Sequence, residues 1–554
     1  MARKWKCGLS FALALVLLCL CACASISPDA AESTTTTPTR PDLSRQWLSR
    51  PLSLIDDKYR TYYEIFVYSF YDSDGDGIGD LNGVTEKLDY IQELGCNGIW
   101  LMPIMPSPTY HKYDTADYMG IDPEYGTLED FQSLLSACHE RGIRLIIDLA
   151  MNHTSSQHPW FLEACSYLRS LPVGEAPSGE DCPYVNYYHF VKDAGSGYSQ
   201  VSGTEWYYEC QFWDGMPDLN LENPTVRGEF EAIAGFWLDL GVDGFRLDAV
   251  KEFVSGNAEA NIEILTWFNQ FVKSLDEDNY LVCECWMDKD GYAPYYASGV
   301  DSLFDFDFAQ SSGVITGVLN GNRAASAYGR FMEENEALYA SYSASHINAP
   351  FYTNHDLGRT TGYYPGEEGE AKTKMGNAMN LLMTGNAFLY YGEELGMKGS
   401  GKDENKRAPM YWSKEADAAG MCRGPAGMDA VTMKFDSLAE QAEDPNSVYS
   451  YVRQAILLRN QNPEIARGAV TFQEAYSDEN ICVITKAYEG RELLLVYNPT
   501  GESAAVSLDG LSVQERPVSE LQVLGELLTG AQSAAVDGNS VTMPAYSILV
   551  MGAA

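Results

Sequence analysis

The run Gly244-Phe245-Arg246-Leu247-Asp248-Ala249-Val250-Lys251 places an arginine two residues before an aspartate. Side chains two apart share one face of a strand, so Arg246 is a counter-charge lying beside Asp248. Glu284 stands between Cys283 and Cys285, with Trp286 beyond. Apolar neighbours raise a carboxyl pKa, and a carboxyl still protonated near neutrality can act as a general acid. A third carboxylate comes from Asn354-His355-Asp356. One carboxylate that attacks and one that protonates a leaving oxygen are what retaining glycoside hydrolysis needs. Taken singly, Asp248 would be a structural ion pair and Glu284 an ordinary strand end.

A second acidic group lies upstream, in Asp72-Ser73-Asp74-Gly75-Asp76-Gly77-Ile78-Gly79-Asp80. Alternating aspartate and glycine lets several carboxylates converge on one hard cation. Asp72, Asp74, Asp76 and Asp80, with the Ile78 carbonyl, occupy alternate positions as in an EF-hand loop. The glutamate that ends such a loop is replaced by Gly83, so this is a different kind of site. Uncompensated, the four aspartates would repel one another. Ca2+ in a structural role is the expected occupant, because Mg2+ tolerates all-protein cages poorly.

Such residues need a frame that gathers strand ends. Eight apolar runs read as strands: Tyr63–Tyr68, Gly98–Met102, Leu145–Leu149, Gly244–Asp248, Leu281–Glu284, Leu303–Phe306, Ala349–Thr353 and Phe388–Tyr391. Helical patterns such as Glu129–Arg141 and Val226–Leu240 lie between several of them. The alternation predicts an α/β fold, a (β/α)8 TIM barrel, whose functional groups sit at the C-terminal strand ends. Asp148, Asp248, Glu284 and the Asn354-His355-Asp356 run fall at such ends. Residues 46–151 and 218–462 would form the barrel. Residues 152–217, rich in Tyr, Gly, Pro and Ser, would form a small domain inserted after the third strand. The alternating segments of 463–554 predict a C-terminal antiparallel β-sandwich.

The chain carries 37 basic and 78 acidic residues, a net charge of −41. That balance excludes nucleic acid as a partner and disfavours anionic lipid. Arg3, Lys4 and Lys6 precede the apolar stretch Leu9–Leu20, which is short for a membrane span. Ala22-Cys23 then resembles the acylation site of a bacterial lipoprotein. Residues 1–23 are therefore expected to be a lipoprotein leader, with Cys23 holding the protein on the outer face of the cell membrane; plain secretion is the alternative. Residues 24–45, rich in Ser, Thr, Pro and Ala, read as a flexible tether. Beyond the leader nine cysteines remain, an odd number without a CxxC pair. A disulfide framework or thiolate zinc site is not expected, though Cys165, Cys182 and Cys210 could include one bridge.

The motifs resemble those of the α-amylase superfamily, glycoside hydrolase family 13. Its ordered blocks are matched by Asp148-Leu-Ala-Met-Asn152-His153, by residues 244–251, by Glu284 and by Phe351-Tyr-Thr-Asn354-His355-Asp356. Met216-Pro217-Asp218-Leu219-Asn220 resembles an intermediate form of a further block, found in one α-amylase subfamily. The resemblance runs from about residue 60 to the end. It implies Asp248 as nucleophile, Glu284 as acid/base and Asp356 as the third carboxylate. His153 and His355 would bond the reacting sugar, Arg246 would position Asp248, and Tyr113 would stack on that sugar. Asp114 and Arg407 would pair around the non-reducing end. A Ca2+ site at the Asp72–Asp80 loop is also a property of related amylases. Ala249 with Lys251 resembles the α-1,4-cleaving members, whereas Glu252 replaces a histidine common in α-amylases and bears on acceptor binding. The implied activity is α-1,4-glucan hydrolysis on starch, glycogen or maltodextrins. Alternatives are an α-glucosidase, a 4-α-glucanotransferase and, remotely, a non-catalytic glycan-binding lipoprotein.

Overall fold

A computed structural model describes residues 43–553. The leader, Cys23 and the tether up to residue 42 lie outside the described residues. The strands are, in chain order, β1 (Thr61–Ile65), β2 (Gly98–Leu101) and β3 (Arg144–Leu149), then β4 (Phe190–Val191), β5 (Tyr198–Gln200) and β6 (Tyr207–Glu209) in the long segment after β3. There follow β7 (Gly244–Leu247), β8 (Tyr280–Cys283), β9 (Ser302–Leu303) and β10 (Ala387–Tyr390). A parallel sheet runs in the order β10-β1-β2-β3-β7-β8-β9.

The strand expected at Ala349–Thr353 is reduced to two parallel bridges, Phe304 with Ala349 and Phe351 with Phe388, which close the ring. Pro350 explains the thinning, because it has no N–H to give a ladder. Its carbonyl still accepts from Phe388 N at 2.9 Å. The first strand ends earlier than expected, because the chain enters a 3-10 turn at Val67–Ser69 on its way to the acidic loop.

Barrel strands are buried at nearly every position, as expected of parallel strands covered on both faces. Tyr62 stacks on Phe388 at 4.8 Å and on Tyr280 at 5.4 Å, and Trp100 meets Phe304 at 5.5 Å. These rings fill the barrel below the mouth. The strand alternation carries the same inward face from Tyr62 to Glu64 and from Arg246 to Asp248, so the apolar filling gives way to charge at the C-terminal ends. Gly244 is required at its place: its φ is +144°, and a Cβ would stand 1.9 Å from the Tyr280 carbonyl oxygen.

The covering helices begin and end on recognisable signals. Leu128–Glu140 starts at a Thr127–Asp130 capping box, and its Phe131, Leu134, Leu135 and Cys138 form the buried stripe. Pro224–Leu240 starts with an Asn223 cap and Pro224 in its first turn, and stops at left-handed Gly241.

Between β3 and β7, the strands order as β4-β6-β5 in an antiparallel sheet. Phe161 meets Tyr208 at 4.8 Å and Tyr188 at 5.1 Å, which gives the inserted segment its own small core. Bridges from His153 to Asp218 and from Tyr188 to Leu219 stitch its two ends together.

The C-terminal strands are β11 (Ala469–Phe472), β12 (Cys482–Tyr488), β13 (Arg491–Asn498), β14 (Ala504–Ser507), β15 (Ser512–Val513), β16 (Arg516–Pro517), β17 (Gln522–Leu528), β18 (Ala535–Asp537), β19 (Ser540–Met543) and β20 (Ser547–Gly552). They form a five-stranded sheet, β11-β12-β13-β20-β17, and a three-stranded one, β14-β19-β18, with β15-β16 as a separate pair. Period-two alternation splits β13 between two cores. Leu493, Leu495 and Tyr497 join the main core; Leu494 and Val496 join a second cluster with Val541 and Met543 of β19. This is the expected two-layer β region. All nine described cysteines are buried and free, so the bridge considered among Cys165, Cys182 and Cys210 is not formed.

Candidate active site

Arg246 is fully buried on β7 and organises the barrel mouth. Its Nη1 donates to Asp248 Oδ1 at 2.6 Å and to the two Asp148 oxygens at 2.9 and 3.1 Å. Its Nη2 stands 3.7 Å from Glu284 Oε2. The guanidinium also lies over Trp100, 5.2 Å from the ring centroid. One cation therefore joins the ends of β3, β7 and β8. Burial raises the Asp148 carboxyl to about 6 against the pull of Arg246.

Glu284 follows β8 and is 8 % exposed. Its Oε2 accepts from Ala249 N at 2.8 Å. Ala249 reaches that position by adopting a left-handed conformation, φ 48°, immediately after Asp248. Burial pushes the Glu284 carboxyl up to about 7; Arg246 opposes this, and the negative charges of Asp248 and Asp356 add to it.

His355 is fully buried. Its Nδ1 is 2.6 Å from Glu64 Oε1, and its Nε2 lies 2.8 Å from the Tyr113 hydroxyl and 3.1 Å from Asp356 Oδ2. Burial alone would lower its pKa, but Asp356 and Glu64 on either side raise it to about 9. Burial would raise the Asp356 carboxyl, yet His355 and then Arg407 hold it well below the usual carboxylate range. Tyr113 donates its hydroxyl to Asp148 Oδ2 at 2.9 Å, and its ring stacks on His355 at 5.4 Å. His153 is buried, 3.2 Å from the Tyr113 carbonyl oxygen, and burial lowers its pKa.

In the acidic loop, ligand oxygens of Asp72, Asp74 and Asp80 lie within 4.8 Å of one another. Asp76 is outside this group of carboxylates. Exposed Asp76 instead turns back on Ile78 N at 2.7 Å. Asp72 accepts from Gly75 N and Gly77 N at 2.6 and 2.7 Å, while Asp80 caps the next helix at Gly83 N. The loop thus winds around Asp72. Three converging carboxylates are hard-oxygen donors of the kind a Ca2+ ion takes, and Asp76 of the expected set is not among them.

The family model "Alpha amylase, catalytic domain" matches residues 64–468. The chain belongs to the α-amylase family. Among solved structures, this α-amylase-family chain is similar to Eubacterium rectale Amy13B, with a TM-score of 0.90 and 51 % identity over 92 % of this chain and 98 % of that one. It is similar to the α-amylase from H. orenii with a TM-score of 0.76 and 33 % identity, covering 90 % of this chain and all of that one (100 %). By sequence it is 35 % identical to α-amylase 3 of Dictyoglomus thermophilum over 80 % of this chain and 85 % of that protein. The protein is a glycosidase.

One expected pairing is absent from this α-amylase-family site. Arg407 binds Asp356 Oδ1 at 2.9 Å and Tyr110 at 3.1 Å, not Asp114. Asp114 is held instead by Ser107 at 2.7 Å and by Thr109, because both hydroxyls lie on its own loop. Lys251, partly exposed, pairs with Glu252 at 3.3 Å, so the residue that departs from the common pattern neutralises its neighbour. Glu64 and Tyr110 were not singled out from the sequence. For Glu64 a signal existed: it is the only charged residue of the apolar run from Thr61 to Phe66.

Proposed function

We propose that this α-amylase-family protein is a retaining, endo-acting hydrolase of α-1,4-linked glucans. The observation that carries the reading is the single buried guanidinium of Arg246, bonded to Asp248 and facing a Glu284 whose carboxyl is pushed to about 7. Asp248 is the nucleophile, aligned and counter-charged by Arg246 for attack on the anomeric carbon. Glu284 is the general acid. Ala249 N–H occupies its Oε2, which leaves Oε1 to carry the proton to the leaving oxygen. The glycosyl–Asp248 ester then forms as the leaving hydroxyl departs. Glu284, now a carboxylate, takes a proton from water as that water attacks the same carbon.

Asp356, held ionised by His355 and Arg407, supports the positive charge that develops on the ring. The Tyr113 hydroxyl is fixed by Asp148 and His355, which leaves its ring as a stacking surface for the sugar. His153 contributes a buried hydrogen-bonding edge beside it. Ala249 and Lys251 support α-1,4 rather than α-1,6 specificity. A Ca2+ ion held by Asp72, Asp74 and Asp80 would stiffen the loop after β1 and take no part in bond cleavage. The leader supports a lipid anchor at Cys23 on the outer face of a bacterial membrane.

A product time course on maltoheptaose tests the reading. Endo cleavage gives mixed shorter maltodextrins from the first minutes. Glucose alone would exclude endo action, and products longer than the substrate would mark a transferase. Asp248→Asn is expected to lower turnover by several orders of magnitude; unchanged hydrolysis would exclude Asp248 as nucleophile.

A further inference from the structure

Arg359 follows Asp356 by three residues and is fully buried. Its Nη1 donates to the Tyr391 carbonyl oxygen at 2.6 Å and to Glu393 Oε1 at 3.3 Å. Its Nε and Nη2 have no acceptor among the described residues. The guanidinium carbon stands 4.4 Å from the Tyr390 ring centroid and 4.9 Å from that of Tyr391. These two rings cross at 71° with centroids 4.7 Å apart. Glu393 also accepts from Thr360 N at 3.3 Å and from the Thr360 hydroxyl, which ties the loop carrying Asp356 and Arg359 to the turn after β10. A buried ion pair often stabilises a fold no better than apolar residues of the same volume, so stability alone does not call for a charge here.

The two tyrosines connect Arg359 to the reacting centre. The Tyr390 hydroxyl donates to the Lys406 carbonyl oxygen at 3.2 Å, and the Tyr391 hydroxyl to that of Ala408 at 2.7 Å. Those carbonyls flank Arg407, whose Nη2 binds Asp356 Oδ1 at 2.9 Å. Tyr391 N donates to the Glu64 carbonyl oxygen at 3.0 Å, and the Glu64 side chain holds His355, the other partner of Asp356. The bonds therefore form a closed circuit. Asp356 meets Arg407, the tyrosines grip the backbone on both sides of Arg407, Arg359 lies over their rings, and its loop returns to Asp356. Arg359, Tyr390 and Tyr391 are all buried, so they move together or not at all. An arginine suits the place better than a lysine, because its planar head stacks on rings while its N–H groups bond in the plane.

We propose that Arg359 is a positioning residue for the hydrolysis, setting the orientation of Asp356 by holding, through Tyr390 and Tyr391, the backbone on either side of Arg407. The proposal rests on the role given above to Asp356. Arg359 itself touches no substrate. Its influence falls on the step in which positive charge develops on the sugar ring, and so on kcat more than on KM.

Two perturbations test it. Arg359→Lys keeps the charge and loses the planar stack; Tyr390→Phe combined with Tyr391→Phe keeps the rings and frees the two carbonyls, so loss of folding in one leaves the other to decide. A misplacement of about 1 Å can lower a rate by about a hundredfold. In each folded variant kcat on maltoheptaose is expected to fall about tenfold or more, with KM changed by less than about threefold. In an Arg407→Ala background the same substitutions are expected to lower kcat by only about twofold or less, because the group through which they act is already gone. A merely structural role would give the full loss in both backgrounds. The His355 midpoint, read by histidine-labelled NMR without substrate, is expected to fall from about 9 by about half a unit or more as Asp356 moves off its Nε2. Unchanged kcat with an unchanged His355 midpoint, or losses that multiply in Arg407→Ala protein, would overturn the proposal while leaving the Asp248–Glu284 reading intact. A wild type inactive on every maltodextrin would overturn that reading instead, and the His355 midpoint would still decide whether Arg359 orients Asp356.

Discussion

Glu64→Gln is the most informative single change at the barrel mouth. The amide oxygen can still accept from His355 Nδ1, so the geometry is kept while one charge is removed. Glu64 and His355 are 1 % and 0 % exposed, so solvent screens their interaction little. A hydrogen bond to a charged group is worth about 1.5–3 kcal/mol, against about 0.5–1.5 kcal/mol for a neutral one, so exchanging the acceptor forfeits about 1–1.5 kcal/mol. At 1.36 kcal/mol per pKa unit, that lowers the His355 value by about one unit. The imidazolium, held at about 9 in the wild type, would then titrate at about 8. The sign follows from the unfolded value of about 6.5. Because the folded value lies above it, the stabilisation is complete below about pH 6.5 and is lost as pH rises through about 9. The variant should therefore melt lower than the wild type at pH 6, with the difference vanishing above pH 9.5. Between pH 7 and 9 its kcat/KM should fall progressively further behind, as His355 loses the Nε2 proton that orients Asp356. Histidine-labelled NMR, assigned by a His355→Gln spectrum, reads the midpoint directly. A His355 midpoint unchanged at about 9 would refute the reasoning, because Glu64 would then contribute nothing to that charge.

Two further expectations follow from the same structure. Burial holds the Glu284 carboxyl at about 7, so wild-type kcat/KM should drop about tenfold per pH unit above that value as the acid is lost; a profile flat to pH 9 would exclude Glu284 as the acid. Chelation should lower the melting temperature and added Ca2+ restore it, by linkage to the Asp72–Asp74–Asp80 cluster; Asp72→Asn should abolish the response, and an unresponsive wild type would count against a cation there.

Local pattern carried much of this protein. The eight apolar runs, the caps of the covering helices and the turn from α/β alternation to period-two strands after residue 463 are consequences of neighbouring residues, and so are readable along the chain. The pairing of Arg246 with Asp248 is of the same kind, since a strand forces residues two apart onto one face. Three-dimensional contact decided the rest. Glu64 and His355 are far apart in sequence, and no local rule predicts their 2.6 Å bond. Arg407 meets Asp356 rather than Asp114, whose Oδ1 is taken by Ser107 and Thr109 of its own loop. Only three of the four alternating aspartates converge, because Asp76 turns back on Ile78. What the sequence determined by itself was the set of strand ends and the residue types on them, since alternation and capping act over a few bonds. What only the tertiary structure decided was which of those charges share a partner and which are buried deeply enough to shift, because both depend on how the closed barrel brings distant loops over one mouth.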